Sequence, residues 1–343
     1  MGAGFNRIGT GRSSTDDDRK IAYARRLLAD ADDQRQLTIT SVIDDGPFST
    51  CYRGLSGNAD AVLELLKGSA LPLATETEFR RICRQRMAAQ HLSFVRILHL
   101  VASDSGDAKH TFMESEFINT SEHLSKFLTG GSRLSLNDAT LLLWRTAETL
   151  AQLHESCDHL SATRLETQWE WTVGLLTSQH VYFDQNAHRL RIPPFGISSF
   201  FWHKLGWSNY VKWVVPKGRF YEAPELNPAD KPITFMTDQY MLGLLSLEIL
   251  ESRPLAKILN GRPPRELWMA PDKFVTGRWK DYHPQLWNII TTMLAEDPDQ
   301  RWPSMRVAAK KFASVEKSFR AIAKYSYRAT APASDAGQFQ LND

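Results

Sequence analysis

Few residues of this 343-residue chain stand at spacings that could do chemistry. A phosphoryl or nucleotidyl transfer needs a cation for phosphate and carboxylates for a metal or a proton. Lys67 is a candidate cation, and Asp158, Glu166 and Glu170 are candidate acids on one stretch. No pair among them has a spacing that fixes a geometry. His159 could move a proton near neutral pH, but a lone histidine at a helix end more often caps the helix or faces solvent. Cys51, Cys83 and Cys157 are odd in number and far apart. They show neither metal-ligand spacing nor a disulfide framework, which fits a reducing cytoplasm. The densest group is aromatic and basic: Phe200, Phe201, Trp202, Trp207, Tyr210 and Trp213, interleaved with Lys204, Lys212, Lys217 and Arg219. Such mixtures mark interface hot spots, although the same rings could fold inward onto the body of the protein.

The elements that must position these residues fall into two regions. Residues 1–13 are rich in Gly, Ser and Arg and read as a disordered start. Residues 14–36 carry Ile21, Ala24, Leu28 and Ala31 at helical steps, with Asp16, Asp17 and Asp18 at the positive end of the helix. Short β-type runs at 37–43, 48–54, 60–66, 94–103 and 109–117, with one helical run at 75–90, predict a small sheet-based lobe over 37–120. Long helical patterns at 135–155, 237–251, 284–295 and 304–325 predict a helical lobe over 121–325, followed by a tail at 326–343. The fold class is α+β. The 42% hydrophobic and 23% charged content is that of a soluble globular chain, and a net charge of +2 offers no case for a nucleic-acid or membrane-surface binder. No apolar run approaches the roughly 18 residues of a membrane span.

Three motifs in the second region lie in order. Tyr221-Glu222-Ala223-Pro224-Glu225 resembles the Ala-Pro-Glu close of a protein-kinase activation segment. Thr237-Asp238-Gln239-Tyr240-Met241-Leu242-Gly243 resembles the Asp-x-Tyr-x-x-Gly start of that family's central helix, and Asp297-Pro298-Asp299-Gln300-Arg301 its Asp-Pro-x-x-Arg element. Upstream, residues 43–54 look like a glycine-rich strand–turn–strand, 90–96 like the entry to the fourth strand, 112–117 like the strand into the hinge, and 150–154 like the end of the helix before the catalytic loop. The resemblance implies a bilobal protein-kinase-like fold. It also implies structural roles: a buried Glu225–Arg301 pair, for which the arginine fork is suited, and Asp238 bracing a loop through backbone N–H groups, with Gly243 in the same helix.

The parts that the resemblance makes catalytic are replaced. The three glycine positions over the phosphates read Asp44, Gly46 and Ser49, and Asp44 and Asp45 put negative charge near any triphosphate. The lysine position falls on Leu63, with Lys67 four residues on, and Arg81, Ile82 and Cys83 stand where its glutamate partner would be. The catalytic aspartate falls on Ala162 counting forward from His154, or on Leu175 counting back from the metal motif. The metal-binding asparagine falls on His180 and the aspartate of Asp-Phe-Gly on Pro194, in Pro194-Phe195-Gly196. Proline has no carboxylate, and a histidine alone suits Mg²⁺ poorly.

The expectation is therefore a pseudokinase: no catalytic residue, no metal, no required cofactor, Mg²⁺ unlikely, and weak ATP binding at most. It would act as a cytoplasmic signalling scaffold or allosteric module for a protein partner, with Trp202, Trp207, Tyr210 and Trp213 as interaction candidates. Two alternatives stay open. One is an atypical ATP-binding kinase or other transferase with relocated residues. The other is a metal-independent nucleotide or small-ligand sensor that docks a base at the hinge residues Glu116, Phe117 and Ile118.

Overall fold

In the computed structural model, residues 14–29, 36–45, 49–66, 73–88, 91, 93–105, 108–118, 123–130, 133–160, 168–192, 221, 223–226, 233–263, 265–277 and 279–330 are described. The first lobe is a five-stranded antiparallel sheet in the order β1-β2-β3-β5-β4, from β1 (Leu37–Asp45), β2 (Ser49–Ser56), β3 (Ala59–Leu66), β4 (Ile97–Ser105) and β5 (Ala108–Glu116). Strand alternation sends odd and even residues of β3 to opposite faces. Leu63 and Leu65 join Ile39, Tyr52, Val101 and Phe112 under α1 (Ser14–Ala29), which contributes Ala24 and Leu27. Arg25 ties α1 to β1 by donating to the Ile39 carbonyl, at 2.6 Å from Nη2. On the other face, Leu66 and Met113 pack with Phe79, Ile82 and Cys83 of α2 (Leu73–Ala88). The sheet is thus covered by a helix on each side.

The second lobe contains α3 (Leu124–Thr129), α4 (Leu136–Leu160), the hairpin β6 (Tyr182–Asp184) and β7 (Arg189–Arg191), and α5 (Phe235–Glu251). Then come α6 (Leu255–Leu259), α7 (Arg265–Met269), α8 (Trp279–Tyr282), α9 (Pro284–Met293) and α10 (Met305–Thr330). Helix α5 is apolar nearly all round and is the centre of the lobe. It starts at a capping box between Thr234 and Thr237. Gly243 lets α9 approach: a Cβ there would lie 2.9 Å from a Leu294 methyl and 3.3 Å from the Met293 Cβ. Helix α10 occupies 326–330, where a tail was expected. No Gly or Pro interrupts residues 305–330. The lobes are joined by a short parallel bridge, Phe94 to Ile192, with Val95 N–H donating to Ile192 O at 2.6 Å. No helix among the described residues is long and apolar enough to cross a membrane.

Candidate functional site

Two buried acids organise the helical lobe. Asp238, fully buried in the first turns of α5, accepts the backbone N–H of Val173 at 2.9 Å and of Gly174 at 3.0 Å. The same carboxylate takes His154 Nε2 of α4 at 3.0 Å. Glu225 receives the Arg301 guanidinium as a fork, Nη1 at 2.9 Å and Nη2 at 2.7 Å, and a hydrogen bond from the Thr237 hydroxyl. A third acid, Glu248 of α5, was not singled out from sequence. It is fully buried and accepts four hydrogen bonds: from Tyr221 Oη at 2.7 Å, from Leu255 N at 2.8 Å, and from Ser178 N and Oγ at 3.0 Å each. Burial raises its pKa and these donors oppose the rise. Only its place on a helix otherwise apolar at that level could have flagged it.

Between the lobes, the face of the sheet toward α2 carries Glu64 rather than Leu63. Glu64 is 2% exposed and accepts a hydrogen bond from the Ser49 hydroxyl of β2. Cys83 of α2 lies within the fields of both Glu64 and Arg86, and burial pushes its thiol up out of the ionisable range. Arg86 is buried with its guanidinium 4.7 Å from the Trp171 ring. Arg81, five residues earlier in the same helix, forks onto Glu170 at 2.7 and 3.2 Å. The short 168–171 segment therefore holds α2 by a cation–π contact and a bidentate ion pair.

Tyr182 of β6 reaches from the second lobe to the first. It packs with Val95 and Ile118, and its ring lies 4.4 Å from that of His123. Burial raises the pKa of its phenol, with Cys51 of β2 and Glu64 of β3 adding to the rise. This 7%-exposed side chain thus fills the space under the sheet beside the hinge. Of the hinge residues, Glu116 accepts Arg96 N at 2.9 Å and pairs with Arg191. Phe117 lies under Arg53 at 4.7 Å, and Ile118 packs against Tyr182.

Solved structures share this architecture. The kinase domain of PknI from Mycobacterium tuberculosis, as a double mutant, superposes with a TM-score of 0.54 at 14% identity, covering 83% of this chain and 98% of that one. A single mutant of the same domain gives 0.53 at 15%, covering 83% and 97%. This chain has a bilobal protein-kinase-like fold. A probable LRR receptor-like serine/threonine-protein kinase of Arabidopsis thaliana is 24% identical over 230 residues, which is 67% of this chain and 24% of the plant protein. The chain thus spans about a quarter of that relative's length. No protein-family model matches it.

Within the kinase-like frame, the loop that Asp238 braces is 173–174. Leu175, the next residue, is 3% exposed in the core. Leu63 points into the α1 layer, on the face of β3 opposite Glu64. The cleft-facing neighbour is an acid, Glu64. His180 is buried, shares a 2.7 Å hydrogen bond with Thr177 Oγ1, and is held neutral by burial, its pKa down to about 3. Gly46, Lys67, Ala162, Pro194, Trp202, Trp207, Tyr210 and Trp213 lie outside the described residues, as does Glu166. Among the described residues, no cluster of three or more His, Cys, Asp or Glu could hold a metal.

Two of the buried histidines, His123 and His180, predict a pH response. His123 is depressed from 6.5 to about 4 by burial, with Lys126 adding to the effect. Such a group is neutral in the folded chain and takes up a proton on unfolding below about 6.5. Its contribution is complete above that pH and is lost as pH falls toward 4, at about 1.4 kcal/mol per pH unit per proton. Urea unfolding at pH 7 and pH 5 should show that loss, and His123→Phe should remove about one proton from the slope. An unchanged slope would count against it.

Proposed function

We propose that this chain is a pseudokinase: a kinase-like module without phosphoryl-transfer activity that works by holding a protein partner. The observation that carries the reading is Glu64, a buried carboxylate on the cleft face of β3, where phosphate binding calls for a cation. A cation about 4 Å from a phosphate charge, at an effective dielectric near 20, would supply about 4 kcal/mol of attraction that a carboxylate cannot. Leu175 supports it, since an apolar side chain cannot accept a substrate proton. Tyr182 supports a cleft closed to nucleotides. Glu170, a candidate relocated acid, is occupied by Arg81. By contrast Glu225–Arg301, Asp238 and Gly243, which serve the fold, are all engaged. Selection for architecture without chemistry would leave that asymmetry. A cytoplasmic setting agrees with Cys51 and Cys83 being buried thiols.

The test is a thermal-shift titration with ATP, alone and with Mg²⁺ or Mn²⁺. The expected result is no rise in Tm under any condition. A metal-dependent rise would mean that ATP binds the native state and would overturn the proposal.

A further inference from the structure

The charge of this chain is unevenly placed. Helix α10 holds seven lysines and arginines and one acid, Glu316, whereas the whole chain carries only +2. The rest of the molecule is therefore net acidic. Met305, Ala308, Ala309, Phe312 and Val315 bury one side of α10 in the core of the second lobe. The cations Lys310, Lys317 and Arg320 stand exposed on the other side.

Some of the cations on α10 are already occupied. Arg306 pairs with Glu148 and Glu155, Arg320 pairs with Glu316, and Lys311 lies 4.3 Å from the Trp302 ring. Lys310 and Lys317 make no ion pair among the described residues. Seven residues are two turns, so these lysines share one line of the helix, about 10.5 Å apart along its axis. Ala313 and Ser314 lie between them and leave room for a close approach. Positions 324 and 328 of the helix, again Lys and Arg, continue the spacing.

We propose that this line of cations docks an acidic helix of a partner protein, one with Asp or Glu recurring every seven residues. The inference deepens the partner-holding reading above and rests on it. A helix laid along α10 at a shallow angle keeps such a repeat in register with Lys310 and Lys317. Like charge rules out a symmetric pairing with the α10 of a second copy. An anionic bilayer is a poorer fit, because the apolar side of α10 is buried and offers nothing to insert. A bilayer or a nucleic-acid duplex is also broad enough to meet the net acidic remainder of the molecule. A single helix, about 10 Å wide, touches the cationic line alone.

The experiment titrates the full chain into a labelled, blocked helical peptide of about three heptads with glutamate at one line of the repeat. Fluorescence anisotropy reads binding, and vesicles containing phosphatidylserine and a short DNA duplex serve as competing polyanions. Saturable peptide binding is expected, on the order of 100 µM at low salt and about tenfold weaker at high salt. Lys310→Glu combined with Lys317→Glu should weaken it about tenfold further, the scale of two exposed charges reversed. Both lysines are exposed, so the variant should keep the parent's Tm. Reversing Lys257 and Lys273, exposed lysines away from α10, changes the net charge equally and should leave binding unchanged. Absence of saturable peptide binding, equal loss in the two double variants, or vesicles or duplex bound as tightly as the peptide would overturn the proposal. A Tm rise with ATP and metal would end the pseudokinase reading and leave this result standing, so the two failures are distinguishable.

Discussion

Arg301→Ala should cost the chain about 3–5 kcal/mol, enough to remove most of the stability of an ordinary domain. The Arg301 side chain is fully buried and forks onto Glu225. It also donates from Nε to Ala295 O at 3.0 Å and from Nη1 to Met236 O at 2.8 Å. The guanidinium lies 5.1 Å from the Tyr240 ring. Truncation therefore leaves the buried Glu225 carboxylate with only the Thr237 hydroxyl and takes the guanidinium donors from two carbonyls, and that desolvation is the dominant penalty. Arg301→Lys keeps the charge but cannot make two parallel bonds, so it should lose a smaller part of this. Urea unfolding followed by tryptophan fluorescence measures both. A loss below about 1 kcal/mol for Arg301→Ala would show that the fork contributes no more than a surface pair.

Tyr182→Ala should have the second large effect, with two signatures. Removing a buried aromatic ring costs about 3 kcal/mol or more when the site cannot collapse. Tyr182 is bounded by Val95, Ile118 and His123. These belong to different elements, which limits collapse and leaves a slot beside the hinge. Adenosine, flat and uncharged, should then stabilise the variant and not the parent. At a hundredfold excess over its dissociation constant it would add about 2.7 kcal/mol. ATP should do so less well, because its phosphates would meet Glu64. A Tyr182→Ala chain that is destabilised but indifferent to adenosine would show that the slot closes. A parent chain already stabilised by adenosine would show that Tyr182 does not block the cleft.

Much of this was legible in the chain. The β-type run at 60–66 and the long helical pattern at 237–251 announced β3 and α5, because short apolar runs between turns and long runs without a Pro break suit those elements. Glu225, Asp238, Gly243 and Arg301 were legible because the roles they serve tolerate few residue types. A fork needs arginine, and close helix approach needs glycine. The N-terminal helix was legible as a helix, but nothing local said that Ala24 and Leu27 would cover Leu63 and Leu65.

What the chain alone determined was the class of fold. Tertiary structure decided the rest, since each point depends on residues far apart in sequence. The face of β3 came from the α1 and α2 layers, which put Leu63 under α1 and the Glu64 carboxylate on the opposite side. The loop that is braced came from the backbone N–H groups of Val173 and Gly174, which donate to Asp238. Tyr182, unremarkable in a short strand, became a cleft-filling side chain only when β6 met the underside of the sheet. Spacing along a chain specifies what a local element can be, whereas which side chains face one another across a cleft is set by how those elements pack.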